Sequence, residues 1–330
     1  MKKIFALLLS AALLVTLLAA CGGGNTTDTD TDAQEPAADA STTQLEEQEP
    51  DTGDASKDDP LNQDEIGEKE LLVVSFGTSY NDSRRETIGA IEKAMQAAFS
   101  DYSVRRAFTS QIIIDHVKDR DGVTIDNVEQ ALERAVNNGV KTLVVQPTHL
   151  MNGLEYKELT DELAKYSDSF EKIAIGDPLL TSDADFEAVM TAITDATKDA
   201  ADGKTAICFM GHGTTADSNS VYSKMQTLLT DKGFNDYYVG TVEATPSLDD
   251  VLAAVQKGSY EKVVLRPLMI VAGDHANNDM AGDEDDSWKS TFEKAGYTVD
   301  CQVEGLGQLE AIQQLFVEHA KAAVASAEAE

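Results

Sequence analysis

Cysteine, histidine and positive charge are all scarce in this 330-residue chain, and each shortage narrows the functions open to it. Cys21, Cys208 and Cys301 are its three cysteines and form no Cys-x-x-Cys pair, which argues against thiolate zinc sites and iron–sulfur clusters. Cys208 lies inside one predicted strand and Cys301 near the end of another. They read as two small core residues or as a disulfide of an exported protein, and both readings stay open. Lys and Arg number 26 against 59 Asp and Glu, a formal net charge of −33. Nucleic acid and anionic lipid surfaces both require clustered Lys and Arg, so neither is an expected partner.

What is present begins with an export signal. Lys2 and Lys3 precede an apolar run at 4–20 that ends in Leu18-Ala19-Ala20-Cys21. The run is near the ~18-residue threshold of a spanning helix, so a plain anchor is one reading. Small residues directly before a cysteine instead resemble the lipobox of bacterial lipoproteins, which implies cleavage after Ala20 and a lipid on Cys21. Such a protein is held on the outer face of the cytoplasmic membrane, or in the periplasm, without crossing the bilayer. From Gly22 to Glu70 almost no large apolar residue occurs, so the stretch at 21–70 reads as a disordered acidic tether. Its net charge is −14; removing that and the leader's two lysines from −33 leaves about −21 for residues 71–330.

Residues 71–330 repeat a strand-then-helix pattern long enough for two domains. In the first half, strands are expected at 71–76, 141–146 and 173–175. A helix from Asp82 carries Ile88, Ile91, Met95 and Phe99, and Val128, Leu132 and Val136 form a second stripe closed by Gly139. In the second half, strands are expected at 205–210, 237–242, 262–265 and 297–303. Helices there carry Val221, Met225 and Leu228, then Leu248 to Val255 after Pro246-Ser247, and finally a closing stretch at 306–324.

Two segments read as diverged copies of each other. Val74-Ser75-Phe76-Gly77-Thr78-Ser79 parallels Phe209-Met210-Gly211-His212-Gly213-Thr214, which sets Phe76 nearly opposite His212. Val145-Gln146-Pro147 with Gly153 and Glu155 parallels Leu265-Arg266-Pro267 with Gly273 and His275. The expected fold is therefore α/β: a tandem duplication at 71–200 and 201–330, each half a parallel sheet flanked by helices, with a cleft between.

Five histidines occur, and His212 and His275 each follow the C-terminal end of a predicted strand, the edge at which open parallel sheets bind ligands. Glu243 ends the strand between them. Two imidazoles and a carboxylate suit Co²⁺, Ni²⁺, Fe²⁺ or Zn²⁺, and three protein ligands leave positions open for an incoming nitrogen donor. His149 follows Pro147 in the first half and is expected to face the same cleft. His116 and His319, in helical stretches, are expected at the surface.

Met210-Gly211-His212-Gly213, Glu243 in Thr241-Val242-Glu243-Ala244-Thr245-Pro246, and Arg266-Pro267-Leu268-Met269 leading to Ala272-Gly273-Asp274-His275-Ala276-Asn277-Asn278-Asp279-Met280 resemble the anaerobic sirohydrochlorin cobalt chelatases. Ser75-Phe76-Gly77-Thr78-Ser79 is similar to that family's opening motif, so the resemblance spans nearly all of 71–330. It implies the chelatase fold, with a tetrapyrrole in the cleft. It also implies a metal site of His212, Glu243 and His275, and insertion of a divalent ion, Co²⁺ first and Fe²⁺ or Ni²⁺ after it, into sirohydrochlorin or a related ring, as in anaerobic cobalamin biosynthesis. The metal is then a substrate, and no organic cofactor is expected.

His212 is expected to combine metal-ligand and base roles, since imidazole titrates near working pH. For the macrocycle's carboxylates the loops offer Ser75, Phe76, Gly77 and Thr78 on one side and Gly213 and Thr214 on the other, with Arg84, Arg85 and Arg266 as further charge. The acidic stretch at 274–286 reads first as a solvated loop and second as a cation-gathering one, and its length suggests a mobile flap over the cleft. The leader and tether also fit a second class of function, a surface-anchored protein that captures haem or metal for a transporter.

Overall fold

The first strand is already asymmetric in its surroundings. Lys69–Ser75 (β1) is buried from Glu70 onward, and its pairing partners lie far along the chain on both sides. In the computed structural model, which describes residues 52–329, the elements that follow are α1 (Asn81–Glu86), α2 (Ile88–Ala98), β2 (Ser103–Phe108), α3 (Gln111–Asp121), α4 (Val128–Asn137), β3 (Thr142–Pro147), α5 (Leu154–Ala164), β4 (Lys172–Ile175) and α6 (Asp183–Thr197). The second half comprises β5 (Thr205–Gly211), α7 (Ser220–Asp231), β6 (Tyr237–Thr241), α8 (Leu248–Val255), β7 (Lys262–Pro267), α9 (Trp288–Lys294), β8 (Thr298–Cys301) and α10 (Glu310–Ala329).

Two parallel four-stranded sheets result, ordered β2-β1-β3-β4 and β6-β5-β7-β8. Their registers repeat as well as their order. Val74 pairs Pro147 as Met210 pairs Pro267, and Val73 pairs Gln146 as Phe209 pairs Arg266. The paired sequence segments are thus equivalent strands of a duplicated unit. Runs such as Leu71-Leu72-Val73-Val74 and Ala206-Ile207-Cys208-Phe209-Met210 are fully buried because helices cover both sheet faces. The described residues form one compact unit.

The helices do not respect the halves in which the sequence places them. The closing helix α10 lies on β3, β4 and α2 of the first half. In turn α6 packs on α7 and reaches β6, where the Thr197 and Tyr237 hydroxyls meet at 3.0 Å. A division at 200/201 therefore parts the sheets but not their cover. One apolar core, containing Leu71, Val73, Ile91, Ile207, Phe209, Ile312 and Phe316, is continuous across both.

The structure corrects the extent of the tether, adds a strand that was not expected and decides between the two readings of the cysteines. The tether was taken to reach Glu70, but from Thr52 onward the chain is folded against the first sheet, because Asp58 is not a solvated charge; its carboxylate is 4% exposed between Arg84 and Arg106. β2 went unread, since its Arg105-Arg106 pair looks polar. Both arginines are buried, Arg105 against Glu70 and Asp126, Arg106 against Glu92 and Asp58. Finally, Cys208 and Cys301 both pair with Leu265, from opposite sides. Two strand spacings of about 4.8 Å separate them, beyond the Cα distance a disulfide spans, and both are free thiols. The leader, Cys21 and the tether as far as residue 51 lie outside the described residues. Among the described residues no helix is long and apolar enough to cross a membrane.

Candidate metal centre

Parallel pairing brings the C-terminal ends of β5, β6 and β7 to one edge. Gly211 pairs Thr241, and beyond that pair Val242 N–H donates to the Gly211 carbonyl at 3.0 Å and Glu243 N–H to the His212 carbonyl at 3.0 Å. The first ligand pair is therefore set by an extension of the sheet's own hydrogen bonding. His275 arrives from the other side, where the chain leaves β7 and opens a π-helical turn at Ala276–Met280, with Ala276 and Met280 buried beneath it. Such turns recur at functional sites because they widen the local backbone and re-aim a side chain.

These three side chains converge. One ligand atom each from His212, Glu243 and His275 lies within 4.8 Å of the other two, with the groups open to solvent on one side. The imidazoles meet edge to face, with centroids 4.6 Å apart and planes at 77°. Bond lengths of about 2.1 Å to a shared ion set donors some 3–4 Å apart, so small rotations of exposed side chains complete a coordination sphere.

The outer contacts fix which nitrogen of each ring is left free to bind an ion. His212 Nδ1 lies 2.8 Å from the Gly213 carbonyl and His275 Nδ1 2.7 Å from Asp279 Oδ2. Both oxygens only accept when Asp279 is ionised, so each Nδ1 carries the proton and each Nε2 presents a lone pair. Asp279 was missed as an orienting group; its spacing four residues after His275 on a turn was the available signal. Tyr222 was also missed. It is buried under the site, its hydroxyl accepts from Gly213 N–H at 3.3 Å, and nothing in the sequence marks it.

The remaining predicted residues are placed as follows. Phe76, at the end of β1, is half exposed and holds the first half's position equivalent to His212. Ser75 is buried, its hydroxyl accepting from Thr148 at 2.7 Å, and Gly77 rests on the Phe108 ring. Thr78 is buried, and its hydroxyl accepts from Tyr80 N–H at 3.2 Å. The expected anion-binding amides of Gly213 and Thr214 are taken up internally, by Tyr222 and by Asn219 Oδ1 at 3.0 Å. That loop closes on itself as a cap; Asn219 also donates to the Thr245 carbonyl at 2.7 Å and ties it to the loop after Glu243.

The three arginines are also committed. Arg84 is buried beside Asp58, Arg266 binds Glu304 at 2.9 Å and Gln302 at 3.3 Å, and Arg85 pairs with Asp82 and Glu86. The stretch at 274–286 is not a free flap, since its π-turn is anchored and Trp288 just beyond it is buried. His116 is exposed. His319 is not at the surface as expected, but sits between Asp177 O at 3.1 Å and Asp185 Oδ1 at 3.0 Å, joining α10 to α6.

His149 is the most unusual of the five. Both ring nitrogens are shielded from solvent and have no hydrogen-bond partner among the described residues. Burial pushes the imidazole down to about 4, against the opposing pull of Glu155.

Comparison with known proteins shows the family. A family model described as Cobalt chelatase (CbiK) matches residues 69–325. Sirohydrochlorin cobaltochelatase of Salmonella typhimurium is 38% identical over 251 residues, 76% of this chain and 94% of that protein. Sirohydrochlorin cobaltochelatase CbiKC of Nitratidesulfovibrio vulgaris is 30% identical over 260 residues, 78% of this chain and 91% of that one. Among solved structures, SirB from Bacillus subtilis with Fe3+ has a TM-score of 0.57 at 15% identity, covering 80% of this chain and 98% of its own. The cobalt complex of the chelatase SirB has a TM-score of 0.55 at the same identity. These two structures share the fold, and the sequence matches carry the closer relationship. The chain belongs to the cobalt chelatase (CbiK) family.

Proposed function

We infer that this protein is a metal chelatase that inserts Co²⁺ into sirohydrochlorin, as its named relatives do. The observation that carries the reading is the convergence of His212, Glu243 and His275 at one sheet edge, within reach of a single cation. The triad is open on one side, as transfer to a second set of donors requires.

The residues suggest an order of events. Nε2 of His212, Nε2 of His275 and the Glu243 carboxylate hold the ion while the macrocycle lies in the cleft. Because His212 Nδ1–H is committed to Gly213 O, Nε2 is that ring's single basic atom and cannot bind metal and proton together. As the ion passes to the macrocycle, two pyrrole protons are given up: the freed Nε2 takes one, and the other leaves to water through the open side of the site. Phe76, at the position equivalent to His212, offers an apolar ring where a second ligand would otherwise stand, and supplies a flat wall for the macrocycle. This asymmetry makes metal delivery one-sided.

Export and lipid attachment at Cys21 belong to the same proposal. The leader and the acidic stretch after it support a location on the outer face of the cytoplasmic membrane or in the periplasm, where a metal or tetrapyrrole transporter would be its neighbour. The test mixes full-length protein in detergent with sirohydrochlorin and Co²⁺ and follows the visible spectrum. Metallation faster than in buffer, abolished by His212→Ala with the fold retained, is expected. Tight binding of macrocycle without turnover would sink the enzyme reading in favour of a surface carrier.

A further inference from the structure

The match to the family begins at Lys69, yet the fold begins earlier. Residues 52–64 run along the first half as a docked segment. The Thr52 carbonyl accepts from Asp82 N–H at 2.9 Å, the Gly53 carbonyl from Asn81 Nδ2 at 3.2 Å, and the Leu61 carbonyl from Arg106 N–H at 3.1 Å. Leu61 is itself buried.

The centre of the docking is Asp58. Its Oδ2 accepts from Arg84 Nε at 2.6 Å and from an Arg106 guanidinium nitrogen at 2.6 Å, and its Oδ1 accepts from Arg106 at 3.0 Å. Glu92 holds another edge of the Arg106 guanidinium, at 2.7 and 2.6 Å. The buried group is neutral as a whole, with two guanidiniums against two carboxylates. Without Asp58 two buried cations would face a single anion, a strongly unfavourable arrangement. The arginines of the family-like core thus depend on a residue outside it.

From Arg84 the contacts lead to the metal centre. Its guanidinium donates to the Thr78 carbonyl at 3.1 Å and to Asn81 Oδ1 at 2.5 Å, which fixes the loop entering α1. One turn of α1 presents Ser83, whose hydroxyl oxygen accepts from Ala272 N–H at 3.0 Å. Gly273 lies against Thr78 closely enough that a Cβ on it would come 3.0 Å from Thr78 Oγ1. Ala272 and Gly273 directly precede Asp274 and His275, and Thr52, Ser83, Ala272 and Asn277 line one shared cleft.

We propose that residues 52–64 act as a positioning strap for the metal site: Asp58 sets α1, and Ser83 on α1 sets the turn from which His275 reaches the cation. Asp58 and Ser83 are positioning residues, and the proposal rests on the reading of His275 as a metal ligand. Tertiary contacts of this kind carry coupling when one rigid element links two sites, and α1 is that element.

The experiment titrates Co²⁺ alone into the full-length protein by calorimetry, alongside thermal unfolding by circular dichroism. Asp58→Asn is expected to lower the melting temperature and to weaken Co²⁺ binding by about tenfold, the lower end of what outer-sphere changes produce. Ser83→Ala is expected to weaken Co²⁺ binding several-fold with an unchanged melting temperature, and Ser83→Thr, which keeps the hydroxyl, to restore it. The double variant Asp58→Asn with Ser83→Ala should bind no more than about twofold more weakly than Asp58→Asn alone, because both changes act on one path. A lower melting temperature with Co²⁺ affinity within twofold of the unaltered protein would reduce the strap to a stabilising segment and overturn the proposal. If Asp58→Asn does not fold, equal affinities for Ser83→Ala, Ser83→Thr and the unaltered protein overturn it. Failure of the unaltered protein to bind Co²⁺ is a different result; it removes the metal-site reading itself, and the strap's proposed role with it.

Discussion

The Glu243 N–H donates to the His212 carbonyl at 3.0 Å, so two ligands of the candidate metal centre are held in register by one backbone hydrogen bond. Their spacing is a property of the sheet edge more than of the side chains. Gly213 completes the arrangement: its φ of +88° turns the chain so that the carbonyl of Gly213 meets His212 Nδ1. A Cβ there would stand 2.9 Å from both the backbone nitrogen and the Cβ of Ala244, the residue after Glu243.

Gly213→Ala should therefore act on both ligands at once. Strained backbone in the left-handed region combined with the clash against Ala244 is expected to cost about 1–3 kcal/mol of stability. Chemical denaturation would read that loss. Cobalt affinity should fall further than for a stability change alone, as His212 and Glu243 are pushed apart. Unchanged affinity in a destabilised variant would show that the loop tolerates the shift.

Asp279 offers a test confined to a single ligand. Its carboxylate orients the His275 ring at 2.7 Å, so that Nε2 faces the other two candidate ligands. Asp279→Ala is expected to weaken Co²⁺ binding by about 10–100-fold, the range for loss of an outer-sphere carboxylate. Asp279→Asn, which keeps an acceptor oxygen but not the charge, should fall between. Equal binding in all three forms would mean that the π-turn backbone alone aims the imidazole.

Much of this centre was legible because a parallel sheet delivers strand ends to one edge, and strand ends can be read from apolar runs that stop at Gly-His or Glu. The same logic failed for β2, where Arg105 and Arg106 interrupt the run; their partners Glu70, Asp126, Glu92 and Asp58 are scattered along the chain, so no local pattern announces that the charges are buried. Asp58 was misread for the matching reason, as one acidic residue among many. The exchange of α6 and α10 between the halves was equally hidden. Each helix shows an apolar face, and a face does not say which sheet it will cover. The anion-binding role expected of the Gly213 loop failed on a finer point, since its amides look free in sequence but are satisfied by Tyr222 and Asn219.

A substitution at Phe76 tests macrocycle binding apart from metal binding. Phe76 is 50% exposed and holds the position equivalent to His212 in the duplicated plan. Phe76→Ala is expected to weaken sirohydrochlorin binding by about tenfold, in line with roughly 0.5–1.5 kcal/mol for an aromatic contact beyond its buried area. Co²⁺ affinity without the macrocycle should not change. Fluorescence quenching by the tetrapyrrole and calorimetry with Co²⁺ measure the two separately, and a loss confined to the metal titration would place Phe76 outside the macrocycle wall.

His149 makes the stability of the fold depend on pH in a direction that can be worked out. Burial lowers its imidazole from the ordinary 6.5 to about 4, so the folded protein keeps the ring neutral where the unfolded chain would protonate it. The stabilisation from the neutral ring is complete above 6.5 and is lost as pH falls from 6.5 towards 4. At pH 5 the difference amounts to about 2 kcal/mol, since proton uptake by the unfolded state is then largely complete and uptake by the folded state has barely begun. The carboxylates contribute their own acid dependence, so the informative quantity is the comparison with His149→Gln, which does not titrate. Between pH 7 and pH 5 the unaltered protein should lose about 2 kcal/mol more than the variant by urea denaturation. Parallel curves for the two would mean that the ring finds water or a partner on protonation, and that its two nitrogens are not sealed from solvent.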